Sequence, residues 1–370
     1  MANKNRSARG PSARGPSAQG SPAQGGSAQG RPAQGSPAQS KAAQGKRARK
    51  RVDPAKTAAT VRNRRSGRPG GQPPRVVVHK ATAGDWIGAA RIRTLPLAIA
   101  PVALGTAAAY VYAFGQAHWV RALLCLAVAL CLQIGVNFAN DYSDGIRGTD
   151  RHRVGPARLT ASGAARPRTV LAVALAFFAL AAAAGVLLLI LSGQYWLVAV
   201  GAACILAAWF YTGGKHPYGY YGLGEVFVFV FFGIVATAAT TFVQVGTVTI
   251  ESWLSGFAAG FLACAVLMAN NLRDFEQDSL AHKRTLAVLV GGLAARILFA
   301  VFMAIPFLIL IFFVIFYGNA GLVYFALLLA VPTTIIAVTG KTPREFLLVL
   351  KLSSLTALVF GLGLAAAIAF

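Results

Sequence analysis

The chain has 370 residues, of which 56% are hydrophobic and only 12% charged, with a formal net charge of +24. Roughly 25% charged residues is usual for a soluble globular domain, so this composition excludes an ordinary soluble enzyme. The basicity does not indicate a nucleic-acid-binding protein either, because residues 1–80 carry +17 of it and the remaining chain only +7.

The basic segment is of low complexity. "PSARGPSAQGSPAQGGSAQGRPAQG" is a degenerate five-residue Ala-Gln-Gly repeat with almost no large apolar side chains, so residues 1–80 are expected to be a disordered tail. Its cluster "GKRARKRV" reads as solvated, with a loose attraction to anionic lipid and no specific nucleic-acid partner. The tail lacks the charged-then-apolar arrangement of a signal peptide, so targeting is assigned to the first membrane span. Cys125, Cys131, Cys204 and Cys264 all fall in apolar runs without metal-type spacing and read as packing residues.

From Leu95 onward the apolar runs are long enough to cross a bilayer as helices, which takes about 20 residues each. Nine are expected: 95–114, 122–141, 169–192, 195–212, 226–248, 253–272, 297–318, 320–338 and 346–369. The fold class is therefore an all-α, multi-pass, nine-helix membrane bundle over residues 81–370. The loops after the even-numbered spans hold Arg147, Arg151, Arg153, Arg158, Arg166, Arg168, Lys215, Arg273, Lys283, Arg284, Arg296, Lys341 and Arg344, whereas the loops after the first, third, fifth and seventh hold only Arg121. By the positive-inside rule the basic loops and the N-terminus lie in the cytoplasm and the C-terminus outside the cell membrane.

The acidic residues follow the basic loops. Of nine beyond Asp85, six form two clusters: Asp141, Asp144 and Asp150 after the second span, and Asp274, Glu276 and Asp278 after the sixth. In "NFANDYSDGIRGTD", Asn137, Asp141 and Asp144 recur at spacings of four and three; in "NNLRDFEQD", Asn270, Asp274 and Asp278 recur at four and four. Each set lies on one face if its helix continues. Like charges so spaced repel unless a cation sits between them. Oxygen donors without a Cys or His cluster suit Mg²⁺, which binds through a few carboxylates together with substrate phosphate oxygens. Ringed by Arg147, Arg151, Arg153, Arg273, Lys283 and Arg284, the two sets describe a pocket for a magnesium-bound lipid diphosphate whose tail stays in the membrane.

The third basic loop, "YTGGKHPYGYYGLGEVFVF", adds glycines that admit close backbone approach and tyrosines able to stack on a flat aromatic substrate. Glu225 opens the fifth span with only Lys215 as a basic neighbour, and a carboxylate inside a helix bundle is a functional candidate. His216 reads as a loop histidine.

These motifs resemble the paired aspartate-rich motifs of the UbiA family of membrane prenyltransferases, whose architecture is nine helices; the resemblance covers residues 84–370. "ARIRTLPLAIAP", "NDYSDGIRGTD" with "RVGPARL", "YTGGKHPYGYYGLGEVFVFVFFG" and "NNLRDFEQDSLAHKRTLAV" are most similar to its actinobacterial menaquinone branch, which prenylates 1,4-dihydroxy-2-naphthoate. The chain departs from that pattern at His282, where Gly is usual, which stiffens the second loop, and at Arg151 and His152, which replace an acidic pair.

The resemblance implies that Asp141, Asp144, Asp274 and Asp278, helped by Asn137, Asn140 and Asn270, hold Mg²⁺ on a polyprenyl diphosphate while Arg153, Arg273 and Lys283 neutralise its outer oxygens. It also implies attack by the naphthoate ring with loss of carboxylate and pyrophosphate, leaving demethylmenaquinone. Asp150 is a further metal ligand or a base. Tyr142, Tyr211, Lys215 and Glu225 are candidates for the aromatic pocket. Another aromatic acceptor such as 4-hydroxybenzoate is the alternative within the family. A transporter is the non-enzyme alternative, disfavoured because its ionisable residues would sit near the midplane rather than at one membrane face.

Overall fold

All nine apolar intervals are helical in the computed structural model, which describes residues 80–116, 118–149 and 158–370. The readings placed on the 1–80 tail, Asp150, Arg151, His152 and Arg153 fall outside the described residues, apart from Lys80. The order is α1 (Ala83–Ala89), a 3₁₀ turn (Ile92–Thr94), α2 (Pro96–Tyr112), α3 (Trp119–Arg147), α4 (Pro167–Ser192), a 3₁₀ turn (Tyr195–Leu197) leading into α5 (Val198–Phe210), α6 (Gly224–Val245), α7 (Ile250–Arg273), α8 (Phe275–Leu280), α9 (Leu286–Val290), α10 (Gly292–Phe316), α11 (Ala320–Thr339) and α12 (Pro343–Ala369). Among the described residues there is no strand.

Local sequence explains where the helices begin and end. Thr82 and Asp85 form a reciprocal capping box at the start of α1, and Thr342 and Glu345 form another at α12 behind Pro343. At the other ends, α3, α4 and α6 stop at Gly148, Gly193 and Gly246, each with φ near +70°.

Among the described residues seven helices are long and apolar enough to cross a membrane, namely α3, α4, α6, α7, α10, α11 and α12, and α1 with α2 makes an eighth if that pair, bent by 46°, is one span. The expected count of nine is not reached by length. Tyr195–Phe210 is apolar but short; at 1.5 Å per residue it extends about 24 Å against the ~30 Å of a hydrocarbon core. The chain is nonetheless a multi-pass, all-helical membrane protein.

The most enclosed span is α7, with 72% of its most apolar stretch buried, and α2, α6, α10 and α12 pack around it. The core between them is built from side chains such as Leu104, Leu262, Met268, Phe299, Phe313 and Phe360. Close approach of α6 depends on glycine: a Cβ on Gly233 would lie 2.4 Å from the Gly260 Cα. Gly233 sits in a π-helical stretch, Phe229–Val235, a widened turn of the kind found at functional sites. Helices α3 and α4 pack along each other beside this centre.

One helix differs from its expected course. Helix α3 runs unbroken through Asn137, Asp141 and Asp144, but α7 ends at Arg273, and Asp274 (φ −95°, ψ 7°) separates it from α8. The four-residue rhythm survives the break. The Asp274 N–H donates to the Asn270 carbonyl at 3.2 Å and the Asp278 N–H to the Asp274 carbonyl at 2.8 Å.

Candidate active site at the aspartate-bearing helix ends

The last turns of α3 bury their polar side chains: Asn137, Asn140, Asp141 and Asp144 are each no more than 6% exposed. Such burial is tolerable only where partners are supplied. Asp141 receives two backbone donors, the N–H of Leu159 to Oδ2 at 3.0 Å and that of Thr160 to Oδ1 at 2.9 Å, so it anchors the segment leading into α4. Asn137 donates through Nδ2 to the Ala90 carbonyl at 2.9 Å and to the Thr94 hydroxyl at 3.3 Å, tying α3 to the bend between α1 and α2. Asn140 accepts a hydrogen bond from the Thr212 hydroxyl at 2.6 Å. Arg147 donates to the carbonyls of Thr212 and Gly214, so the third loop is fastened to the end of α3 by two residues of that helix.

Asp144 has a different environment. The Tyr220 hydroxyl donates to its Oδ1 at 2.7 Å and the Arg158 guanidinium lies 3.7 Å from its Oδ2. Burial, then the charge of Asp144, raises the Tyr220 phenol well above its ordinary pKa, which keeps it a donor. The second motif is also neutralised by its own cations. Arg273 grips Asp274 with Nε to Oδ1 at 2.7 Å and Nη2 to Oδ2 at 2.6 Å, and its Nη2 also donates to Asn270 Oδ1 at 2.8 Å. Lys283 stands 3.5 Å from Asp278.

Tyr220 joins the two sets. The Lys283 ammonium lies 5.3 Å from its ring centroid and the Arg147 guanidinium 5.5 Å, while its carbonyl accepts the Arg284 N–H at 3.1 Å. Tyr220 was not singled out among the tyrosines of the third loop, and only its position between two elements distant in sequence distinguishes it. Arg158 and Arg91 are further residues whose place here composition did not reveal. Arg91 adopts φ 54° at the bend before α2, and its charge lowers the pKa of the Tyr211 phenol while burial first, then Glu225, raises it.

The remaining candidates divide. Glu225 is 4% exposed, and its Oε1 accepts from Asn271 Nδ2 at 2.9 Å, while its Oε2 is buried without a hydrogen-bond partner. Tyr211 lies against Gly224, the residue before Glu225, where a Cβ would be 3.5 Å from the ring. Tyr142 instead packs against the apolar cluster of Phe138, Leu159 and Val170, and Lys215 is exposed. His216 pairs with the Tyr221 hydroxyl at 3.2 Å rather than with the aspartates.

Among the described residues no three of His, Cys, Asp and Glu are close enough to enclose a metal ion by themselves. The arrangement fits a hard cation that completes its shell with water and phosphate oxygens, as magnesium does. The motif side chains offer carboxylate and amide oxygens, and Thr160 Oγ1, Gln277 Oε1 and Thr285 Oγ1 beside them are buried without a protein hydrogen-bond partner among the described residues. Among the described residues there is no His and Cys set of the kind a softer metal needs.

Known proteins resemble this chain in sequence and in fold. A protein of Mycobacterium tuberculosis named 1,4-dihydroxy-2-naphthoate octaprenyltransferase is 46% identical over 305 residues, 78% of this chain and 98% of that one. The protein of the same name from Mycobacterium leprae is 50% identical over 220 residues, covering 59% and 74%. In fold, the chain resembles a UbiA homolog from Archaeoglobus fulgidus solved with GPP and Mg²⁺, with a TM-score of 0.54 at 17% identity over 76% of this chain and 99% of that one. The sequence profile of the UbiA prenyltransferase family matches residues 98–345, a stretch that holds both aspartate motifs and the tyrosine loop between them. With the motifs, the fold and close relatives in agreement over most of its length, the chain belongs to the UbiA prenyltransferase family.

Proposed function

We propose that this chain transfers a polyprenyl group from a polyprenyl diphosphate to 1,4-dihydroxy-2-naphthoate, releasing pyrophosphate and carbon dioxide and giving demethylmenaquinone at the quinol level, a step of menaquinone synthesis. The observation that carries this reading is Tyr220 standing between Asp144 of the first carboxylate motif and Lys283, the partner of Asp278 in the second, in a chain that spans 98% of a protein named 1,4-dihydroxy-2-naphthoate octaprenyltransferase at 46% identity. The excess of Lys and Arg in its loops supports a cytoplasmic orientation for this end of the bundle.

Asp144, Asp274 and Asp278 are the carboxylates to hold Mg²⁺, with Asn270 beside them. Bound there, Mg²⁺ would stabilise charge developing on the departing diphosphate. Arg158, Arg273 and Lys283 neutralise the outer phosphate oxygens, and Arg153 belongs to the same set by its sequence position. As the allylic C–O bond breaks, its electron pair passes to the diphosphate and the ring supplies the pair for the new C–C bond. Preorganised cations favour this separation because they need no reorientation when charge appears. Glu225 and Tyr211 form the wall against which the aromatic acceptor is oriented, and the apolar helices exclude water from the allylic cation. Asp141 acts on the fold around the site by holding residues 159 and 160.

The test is incubation of the purified protein with a polyprenyl diphosphate and a panel of aromatic acids, with and without a chelator. Prenylated naphthoate that disappears on chelation and in Asp144→Ala and Asp274→Ala is the expected result. Prenylation of 4-hydroxybenzoate alone would reassign the acceptor. Absence of any product, with solute movement into vesicles, would overturn the enzyme reading.

A further inference from the structure

The two carboxylate motifs lie on α3 and on α7–α8, about 130 residues apart in sequence. Tyr220, on the loop between α5 and α6, touches both: its hydroxyl donates to Asp144 at 2.7 Å, and its ring lies 5.3 Å from the ammonium of Lys283, the partner of Asp278. Arg147 of α3 lies against the same ring at 5.5 Å, and the backbone of Arg284 donates to the Tyr220 carbonyl.

We propose that Tyr220 is a positioning residue that holds the first and second carboxylate motifs in register for the prenyl diphosphate. This rests on the prenyl-transfer reading above. The hydroxyl selects one orientation of Asp144, leaving its Oδ2 toward Arg158. The ring offers its negative face to two cations that would otherwise repel each other at the mouth of the site. The two halves of the side chain thus have separable tasks, the oxygen ordering a carboxylate and the ring ordering phosphate-binding cations.

That separation sets the experiment. Tyr220→Phe removes only the oxygen, and Tyr220→Leu removes the ring as well. For each, kcat and the KM for the prenyl diphosphate are measured, and Mn²⁺ binding is followed by electron paramagnetic resonance without substrate. Tyr220→Phe is expected to lower kcat and Mn²⁺ affinity about tenfold, the scale of one hydrogen bond to a charged group, with KM within about twofold. Tyr220→Leu is expected to raise KM by a further several-fold. A Tyr220→Phe protein equal to the parent in kcat and Mn²⁺ affinity overturns the proposal, as does a Tyr220→Leu protein with the same KM as Tyr220→Phe. Should the leucine variant fail to fold, the phenylalanine variant decides alone. If the parent binds Mn²⁺ but forms no prenylated product, the reaction assignment fails, while the Mn²⁺ comparison still decides for or against Tyr220.

Discussion

Asn271 of α7 donates a hydrogen bond to Glu225 of α6 at 2.9 Å, joining the two most polar buried positions between these helices. The second carboxyl oxygen of Glu225 has no hydrogen-bond partner. A buried acid with one oxygen left unpaired stands at a stability cost.

Removing Asn271 therefore takes away the side-chain hydrogen bond to Oε1. Asn271→Leu is expected to destabilise by about 1–3 kcal/mol, the usual penalty for orphaning a buried polar group. Because the penalty belongs to the unpaired acid, Glu225→Leu combined with Asn271→Leu should recover much of the loss. Thermal unfolding in detergent measures both, and strictly additive losses would show that the pair does not interact.

Asp141 makes a distinct prediction, since its oxygens are occupied by the amides of Leu159 and Thr160 at 3.0 and 2.9 Å. Asp141→Asn turns a donor toward one of those amides. Hydrogen exchange at residues 159 and 160 should accelerate by about tenfold or more, as a bond to a charged group is lost, and activity should fall with it. Unchanged exchange accompanied by lost activity would mean that Asp141 acts directly on metal or substrate.

Arg121 donates to the carbonyls of Leu191 at 2.6 Å, Val243 at 3.0 Å and Gln244 at 3.3 Å, closing the ends of α4 and α6. It lies on α3 some 34 Å from Asp144, taking 1.5 Å per residue along the helix. Arg121→Met is expected to lower the melting temperature by several degrees, about 1–3 kcal/mol for orphaned helix-end carbonyls, with the donor KM of the folded fraction unchanged. A raised KM would show that the far end of the bundle communicates with the aspartates.

His282 sits at φ 55°, a conformation that favours glycine. It is exposed and opens the Lys283 segment. His282→Gly should stabilise by about 0.5–1 kcal/mol, with the release of strain partly offset by the greater freedom of glycine in the unfolded chain. A fall in melting temperature would indicate that the imidazole makes a compensating contact.

How much of this was legible beforehand depended on whether the signal was local. Apolar length and charge alternation are local, so the nine long apolar intervals and both motif positions could be read from the chain, whereas the short helices α1, α8 and α9 could not. The structure adds what spacing does not carry where geometry intervenes. Tyr195–Phe210 is apolar but too short to count as a full span, and α7 breaks at Asp274 although its four-residue spacing had suggested a continuous helix. Asn137 and Asp141 share the spacing of Asp144, yet their polar atoms engage backbone, because residues 90, 159 and 160 happen to pack there.

By itself, then, the amino-acid order determined a basic tail followed by a many-helix membrane bundle, with two acidic clusters on helix ends, since these follow from transfer free energies and helical periodicity. Only the tertiary structure decided which donors each buried carboxylate receives and that Tyr220 stands between the clusters. Those pairings join residues of different helices, such as Asp144 with Tyr220 and Glu225 with Asn271. Hydrogen bonds require contact to a few tenths of an ångström, and such contact is fixed by helix packing rather than by spacing along the chain.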